Sequence, residues 1–514
     1  MATIPLLAIL LLILLSFTFL LWRPSIASIR NKNFSLLEWP LLGMLPGLLW
    51  NVWADDLHGC ITRTLKENGG TIVFKGPSFA DMNFIVTCDP INAHHIFSKS
   101  YAKYGKNEDF RAMFEVLGDG IFNVDGESWK FQRQMLHSIL NNEELQNHMM
   151  TTLKQKMEGT LFRILDDYCS SRTGAEVDMQ DVAKKFMFDN ICLWVLGFDP
   201  GYLCVDERSK TFSCGKAFEE IEEGIIYRHI VPKGVWEFQK RFEIGSEKKI
   251  SLSTKVLDEF LYNAVKIKKQ EMLHKEEQRQ HHDMLTQWLV ADHQSPDKFL
   301  RDIALTLISA GRDTLSSTLS LLLWLVATHP DVERKILGEI ERVIIVMTRT
   351  ARGTSRFLIS KDDLNELVYL HAAIYETLRL YPPLPFEHRC ANEADVLPSG
   401  QKVHKGMRML FSMYSMGRME ETWGKDCMDF KPERWISDEG NIIHVPSQKF
   451  MTFLTGPRTC LGKAMSFMLL KFMVSSILWN YKFEMVEGHI VKPTPSMVLS
   501  MKDGLKMRVS KRNV

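Results

Sequence analysis

The stretch from Leu300 to Ala327 constrains the fold more than any other part of the chain. It reads as one helix, apolar on nearly every face, and it stops before His329-Pro330. A helix that is apolar all round has no face to offer water and must be buried on every side. Surrounding so long a rod takes a wide body of other helices. Strand-like runs are few and early, as in 70–74 and 83–87, and most of the remainder reads as helix. The expected fold is therefore mainly α with a small β part, in one large domain. The 514 residues, 45% hydrophobic and 24% charged, supply enough material for such a body and exclude a mostly disordered chain. Lys and Arg number 63 against 62 Asp and Glu, a net charge of +1, so nucleic acid is not expected as a partner.

The same helix carries Ala310-Gly311-Arg312-Asp313-Thr314. A charged pair inside a buried helix is costly and asks for a reason. Ala310 and Gly311 leave space beside the helix, Thr314 can donate a hydrogen bond, and Asp313 can pass protons inward from solvent. Two plainer readings stay open: a threonine bonded back to its own helix, and an aspartate held in a salt bridge.

From Leu6 to Trp22 the only polar side chains are Ser16 and Thr18, and Arg23, Arg30 and Lys32 follow. A run of that length can cross a bilayer, and the flanking charge puts the bulk of the chain on the cytosolic side. We expect an anchor over 1–22, a basic and proline-rich hinge over 23–47, and a catalytic domain over 48–514. The nine cysteines are odd in number, widely spaced and without a C-x-x-C, which argues against a disulfide framework or a zinc ribbon.

The segment Phe453-Leu454-Thr455-Gly456-Pro457-Arg458-Thr459-Cys460-Leu461-Gly462-Lys463-Ala464 holds the most chemical information. Gly456-Pro457 marks a tight turn and an apolar helical run follows Cys460. A cysteine at such a junction lies against free backbone N–H groups and the positive end of a helix, which favours thiolate. Gly456 and Gly462 would let a flat macrocycle approach the backbone, and Arg458 could pair with a carboxylate on it.

The F-x-x-G-x-R-x-C-x-G spacing resembles the heme-binding loop of the cytochrome P450 family. The resemblance extends to Ala310–Thr314 as the oxygen-activation motif A-G-x-D-T and to Glu376-Thr377-Leu378-Arg379 as E-x-x-R. It also covers Phe430–Trp435, whose Arg434 would join that pair, and Trp129–Arg133 as W-x-x-x-R. It implies heme b held through Cys460, with Phe453, Gly456, Arg458, Gly462, Ala310 and Gly311 around it. Trp129 and Arg133, one helical turn apart, would reach a heme propionate, with Arg389 as a further candidate. Asp313 and Thr314 would act in catalysis, while Glu376, Arg379 and Arg434 would serve as a structural lock.

The chain shows neither a dinucleotide-binding G-x-G-x-x-G in a βαβ setting nor a P-loop. The resemblance therefore implies electrons from NADPH–cytochrome P450 reductase, docked at a basic face that Lys130, Arg133, Lys449 and Lys463 could form. It places the enzyme in the endoplasmic reticulum membrane, held by a single helix, with a hydrophobic small-molecule substrate.

The segment 117–127 is similar to the plant fatty-acid ω-hydroxylase clan, and the segments 225–229, 398–400 and 456–463 are most similar to the midchain alkane hydroxylase family within it. That family divides into hydroxylation of long alkanes and coupling of two phenol rings of a norbelladine substrate. Leu454-Thr455 replaces the usual Asn-Ser or Asn-Ala, His388-Arg389 replaces His-Lys, and the loop over 343–360 is expanded. These departures weaken the transfer of an alkane substrate and lean toward phenol coupling. A heme isomerase and a heme sensor remain as alternatives. Phe110, Phe114 and Phe122 are candidates for the pocket wall or for the core.

Overall fold

The computed structural model describes residues 36, 38–170, 176–204, 210–273, 283–348 and 358–512, with the side chains of 210–213 and 346–348 set aside. The expected anchor over 1–22 and most of the expected hinge lie outside the described residues. Among the described residues, no helix is long and apolar enough to cross a membrane.

The helices that position the site are α1 (Leu45–Trp53), α2 (Leu57–Glu67), α3 (Gly126–Leu140), α4 (Met179–Leu196), α5 (Lys210–Ile230), α6 (Gly245–Leu273), α7 (Asp297–Thr328), α8 (Pro330–Thr348), α9 (Val368–Leu380) and α10 (Lys463–Asn480). The strands of the two larger sheets are β1 (Thr71–Phe74), β2 (Phe84–Thr87), β3 (Tyr104–Gly105), β4 (Glu176–Asp178), β5 (Phe386–Ala391), β6 (Arg408–Ser412), β7 (Tyr481–Met485) and β8 (Lys506–Lys511). One five-stranded sheet runs in the order β1-β2-β6-β5-β3, with β2 and β6 parallel and the other pairs antiparallel. A three-stranded sheet runs β4-β8-β7.

The mainly α reading holds, and α7 is the expected buried rod. It begins after Pro296 with Asp297 in its first turn and ends at His329, before the proline that opens α8. Its polar side chains are accommodated locally: Thr306 and Thr318 each donate a hydroxyl to the carbonyl four residues back. The larger hydrophobic cluster gathers around α4, α7, α9 and α10. The smaller one fills the space between the five-stranded sheet and α1 and α2.

Two boundaries differ from expectation. Residues 45–47 already belong to α1, with Pro46 in its first turn, where the absent N–H is not missed. Residues 343–348 are the end of α8 and not a loop. Val343 is buried there, so tertiary packing outweighs the weak local periodicity; residues 349–357 of that expected loop lie outside the described residues. None of the nine cysteines forms a disulfide.

Candidate active site

The sulfur loop is built by its own backbone. Cys460 N–H donates to the carbonyl of Phe453 at 2.9 Å, and Thr459 N–H donates to Gly456 at 3.1 Å, closing a tight turn over 456–458. Cys460 thus sits just ahead of α10, and the N–H groups of Gly462 and Lys463 point at its sulfur. The thiolate-stabilising groups expected from the sequence are in place, but they do not dominate. Burial pushes the thiol pKa up, and the N–H of Gly462, the Arg133 guanidinium and Lys463 only partly offset this. The protein alone therefore favours the thiol, and a metal ion on sulfur would be what deprotonates it.

Gly456 has a different reason from the one expected. Its φ is +73° and a Cβ there would lie 1.9 Å from the carbonyl oxygen of Phe97, so it is glycine because of its own protein neighbour. At Gly462 a Cβ would meet nothing nearer than Ser466 Oγ at 3.8 Å and Cys460 Sγ at 3.9 Å, which leaves open space beside the sulfur.

Cys460 opens onto a cavity of about 500 Å³. The fold brings Trp129, Arg133, Ala310, Gly311, Asp313, Thr314, Arg389, Phe453, Arg458 and Gly462 to the same walls, although they come from four separate segments. Phe110, Phe114 and Phe122 line it too; the first two are also buried in the core.

The arginines are partly engaged already. Arg133 donates to the carbonyl of Thr459 at 2.9 Å, beside the sulfur. Arg458 donates to Asp125 at 2.5 Å, Val124 O at 2.7 Å and the Tyr101 hydroxyl at 3.1 Å, and its guanidinium stacks on Trp129. Arg389 is paired with Glu387 and donates to His388 O at 2.9 Å. The remaining docking candidates are dispersed: Lys130 pairs with Glu127, while Lys449 and Lys463 lie over aromatic rings.

Sequence reasoning missed Lys106. Its ammonium lies 3.8 Å from the centre of the Phe110 ring, with no anionic partner among the described residues. Burial first, and then the positive charge of Arg389, holds its pKa well below the usual lysine range. Nothing in the run Tyr104-Gly105-Lys106 marks it, because its importance comes from the β3–β5 pairing that carries it to the cavity. Three arginines, Arg133, Arg389 and Arg458, thus face this wall with two carboxylates, Glu387 and Asp125, and Lys106 adds an amine that an anionic ligand beside it would protonate. The surplus positive charge suits a ligand bearing two carboxylates.

His229 and His388 were also quoted only as similarity. His229 Nδ1 donates to Ile225 O at 2.8 Å, which leaves Nε2 to accept from His388 Nδ1 at 3.3 Å. Burial pushes His229 down to about 4 and His388 further below the usual value, so both rings are neutral near pH 7.

On α7, Thr314 donates back to Ala310 O at 2.7 Å, so the plainer reading of this hydroxyl holds in the resting arrangement. Gly311 is small for a packing reason as well, since a Cβ there would lie 2.4 Å from Ile191 Cδ1 of α4. Arg312 lies 2.8 Å from Asp313 through Nη1 and Oδ1. Yet Asp313 Oδ2 and Arg312 Nε are buried with no hydrogen-bond partner.

Glu376, Arg379 and Arg434 stand away from the cavity walls and lock the chain together. Arg379 grips Glu376 in two parallel bonds of 2.7 Å and spends its other N–H groups on the carbonyls of Gly417, Cys427 and Asp429. Glu376 also accepts from Trp435 Nε1 at 2.8 Å, Lys431 N at 3.1 Å and Arg434 Nε at 3.3 Å.

Residues 41–509 match the family described as Cytochrome P450. The chain belongs to the cytochrome P450 family. It is 38% identical over 479 residues to noroxomaritidine synthase of Narcissus aff. pseudonarcissus MK-2014, covering 93% of this chain and 91% of that protein. It is 37% identical to alkane hydroxylase MAH1 of Arabidopsis thaliana over 485 residues, 93% of each chain. Cytochrome P450 94A2 of Vicia sativa is 33% identical over 492 residues, 93% of this chain and 91% of the relative.

Cytochrome P450 enzymes are oxidoreductases that hold heme b through an axial cysteine thiolate, act on hydrophobic substrates and take electrons from a redox partner. The cavity fits that group. It offers one sulfur with space beside it, a cationic surplus matching two propionates, and apolar walls; among the described residues no cluster of other metal-ligating side chains competes. Bound there, heme would supply dioxygen activation and one-electron oxidation, which no side chain provides. The protein's part is to exclude water with the aromatic wall, to balance the propionates with the cations, and to present the Thr314 hydroxyl, which can exchange its Ala310 partner for a ligand in the cavity.

Proposed function

We propose that this chain is a membrane-anchored cytochrome P450 in which Cys460 ligates the heme iron and Asp313 and Thr314 deliver protons. Trp129, Arg133, Arg389 and Arg458, joined by Lys106, hold the propionates, and Phe453 and Gly462 flank the macrocycle. Residues 1–22 anchor the protein in the endoplasmic reticulum membrane, 23–47 form the hinge, and 48–514 form the cytosolic catalytic domain. NADPH–cytochrome P450 reductase supplies the electrons.

The leading reaction is intramolecular para–para′ C–C phenol coupling of 4′-O-methylnorbelladine to noroxomaritidine. The observation that carries this reading is a cavity whose walls combine apolar aromatics with polar side chains. Phe110, Phe114 and Phe122 suit a folded diaryl amine, and Lys106, Glu222, His229 and His388 give polar surface that a bare hydrocarbon cannot use. Similarity to noroxomaritidine synthase over 93% of the chain supports it. The second reading is hydroxylation of long alkanes or fatty acids, supported by the similarity to alkane hydroxylase MAH1.

The test is turnover with the reductase, offering 4′-O-methylnorbelladine and a long alkane side by side. Coupling removes two hydrogens and hydroxylation adds an oxygen, so product mass separates the two. Exclusive alkane hydroxylation overturns the leading reading. In the same preparation Cys460→Ser should abolish the thiolate-type spectrum of the reduced carbon monoxide complex, and an unchanged spectrum rejects Cys460 as ligand.

A further inference from the structure

The arrangement around Asp313 extends beyond the Asp–Thr pair. Asp313 Oδ1 is taken by Arg312, but Oδ2 is buried and receives no hydrogen bond from any neutral or cationic donor. Such an atom is costly unless a proton comes to it. The side chain that faces it is Glu222, on α5, and the same helix meets α7 where Arg312 Nη2 reaches the carbonyl of Gly215 at 3.4 Å. Glu222 is half-buried and lines the cavity together with Asp313 and Thr314, so it keeps a route to water. Two carboxyl groups in contact cannot both be ionised.

The charges nearby decide where the negative charge resides. Arg312 and Asp313 face the pair from α7, Lys184 from α4, and Glu219 from α5 itself. Lys184 is engaged by Glu219 at 2.9 Å, and Glu219 lies 3.9 Å from Arg312. Among the described residues no cation lies within ion-pair distance of Glu222. The Arg312 contact thus assigns the charge to Asp313 and leaves the proton on Glu222.

We propose that Glu222 and Asp313 share one proton as a carboxylic acid–carboxylate pair, and that Glu222 is the outer donor of the relay ending at Thr314. This rests on the reading of Asp313 and Thr314 as proton-delivering groups. In one delivery the Glu222 O–H bond breaks as a proton passes to Asp313 Oδ2. Asp313 releases a proton toward Thr314, and Glu222 regains one from water, so no net charge accumulates. Burial, and then the charge of Asp313, raises the Glu222 pKa well above the carboxylate range, which keeps it loaded at neutral pH. Its affinity for the proton also sets the alkaline limit: once pH exceeds its pKa, the donor is empty and turnover falls.

The test uses the full-length heme-loaded enzyme. Infrared difference spectra at neutral pH should show a protonated-carboxyl C=O band that shifts in D₂O and is missing in Glu222→Gln. That variant is isosteric and keeps a hydrogen-bond donor toward Asp313, so it should fold. With reductase and substrate, E222Q should lower turnover on the order of tenfold, below the ~10²-fold expected for a terminal donor. It should also abolish the alkaline limb of the pH profile, and Glu222→Asp should restore it. An enzyme without the exchangeable band, or an E222Q enzyme with the wild-type pH profile, overturns the proposal. Asp313→Asn separates the two levels. If D313N is as active and as tightly coupled as wild type, the relay itself falls and takes this role with it. If D313N is impaired while E222Q is silent, only Glu222 is excluded.

Discussion

Glu376 and Asp313 are both buried carboxylates, each paired with an arginine close by in its own helix, but their surroundings differ in one respect. Around Glu376 every lone pair is used, and its partner Arg379 has spent all its N–H groups. Around Asp313 an acceptor oxygen is orphaned, and so is the Nε of Arg312. A saturated network is rigid and has nothing left to give a ligand, whereas an unsaturated one is poised to receive a proton or exchange a partner. The difference suits two roles: the first cluster is built to hold the chain, and the second faces the cavity with an acceptor to spare.

The largest effect should come from breaking the saturated cluster. Glu376→Ala removes the acceptor shared by Arg379, Arg434, Trp435 and the Lys431 N–H, leaving two guanidinium groups under-paired, one of them fully buried. Removing one partner of such a pair destabilises by about 3–5 kcal/mol. Urea unfolding should show that loss together with poor heme retention. A loss below about 1 kcal/mol, the range of surface pairs, would make this an ordinary salt bridge.

The sequence carried the two clusters to different depths. The lock was legible because its members recur at fixed spacings, and i, i+3 on a helix brings Glu376 to Arg379 without knowledge of the fold. The long helix was legible from its apolarity. Lys106 and Glu222 were not, since each reaches the cavity through pairing or contact of distant elements: the β3–β5 ladder for one and α5 against α7 for the other. At other positions the structure adds reasons that the sequence does not show. Gly456 answers to Phe97 O and Gly311 to Ile191, contacts between segments that a local pattern does not contain. Burial, which raises the free Cys460 thiol against the pull of the nearby N–H groups, is a tertiary property that the local pattern does not contain.

The unsaturated cluster should respond in the opposite sense, with function lost and stability kept. Thr314→Ala deletes a hydroxyl whose present partner is the Ala310 carbonyl of its own helix, and alanine is at least as good a helix former. Thermal unfolding should shift by no more than the equivalent of about 0.5 kcal/mol. Product formation should fall on the order of 10²-fold while hydrogen peroxide released per NADPH rises. Tight coupling in this variant would erase the functional side of the comparison.

The smallest effect concerns strain that the lock sustains. Leu454 has φ +58°, a left-handed conformation that a non-glycine side chain adopts at a penalty of about 1–2 kcal/mol. It follows Thr452 and Phe453, and Thr452 Oγ1 is tied to Leu378 O of α9 at 3.1 Å, one residue from Arg379. The strain persists because the saturated cluster fixes α9 and, through it, the loop. Asparagine tolerates this conformation far better. Leu454 is only half buried, so exchanging it removes little apolar contact. Leu454→Asn should therefore stabilise the protein by about 0.5–1 kcal/mol in urea unfolding, with the thiolate-type spectrum unchanged. If instead the variant is destabilised, the contacts of Leu454 with the sheet-side core outweigh its backbone strain, and the loop is held by packing more than by the lock.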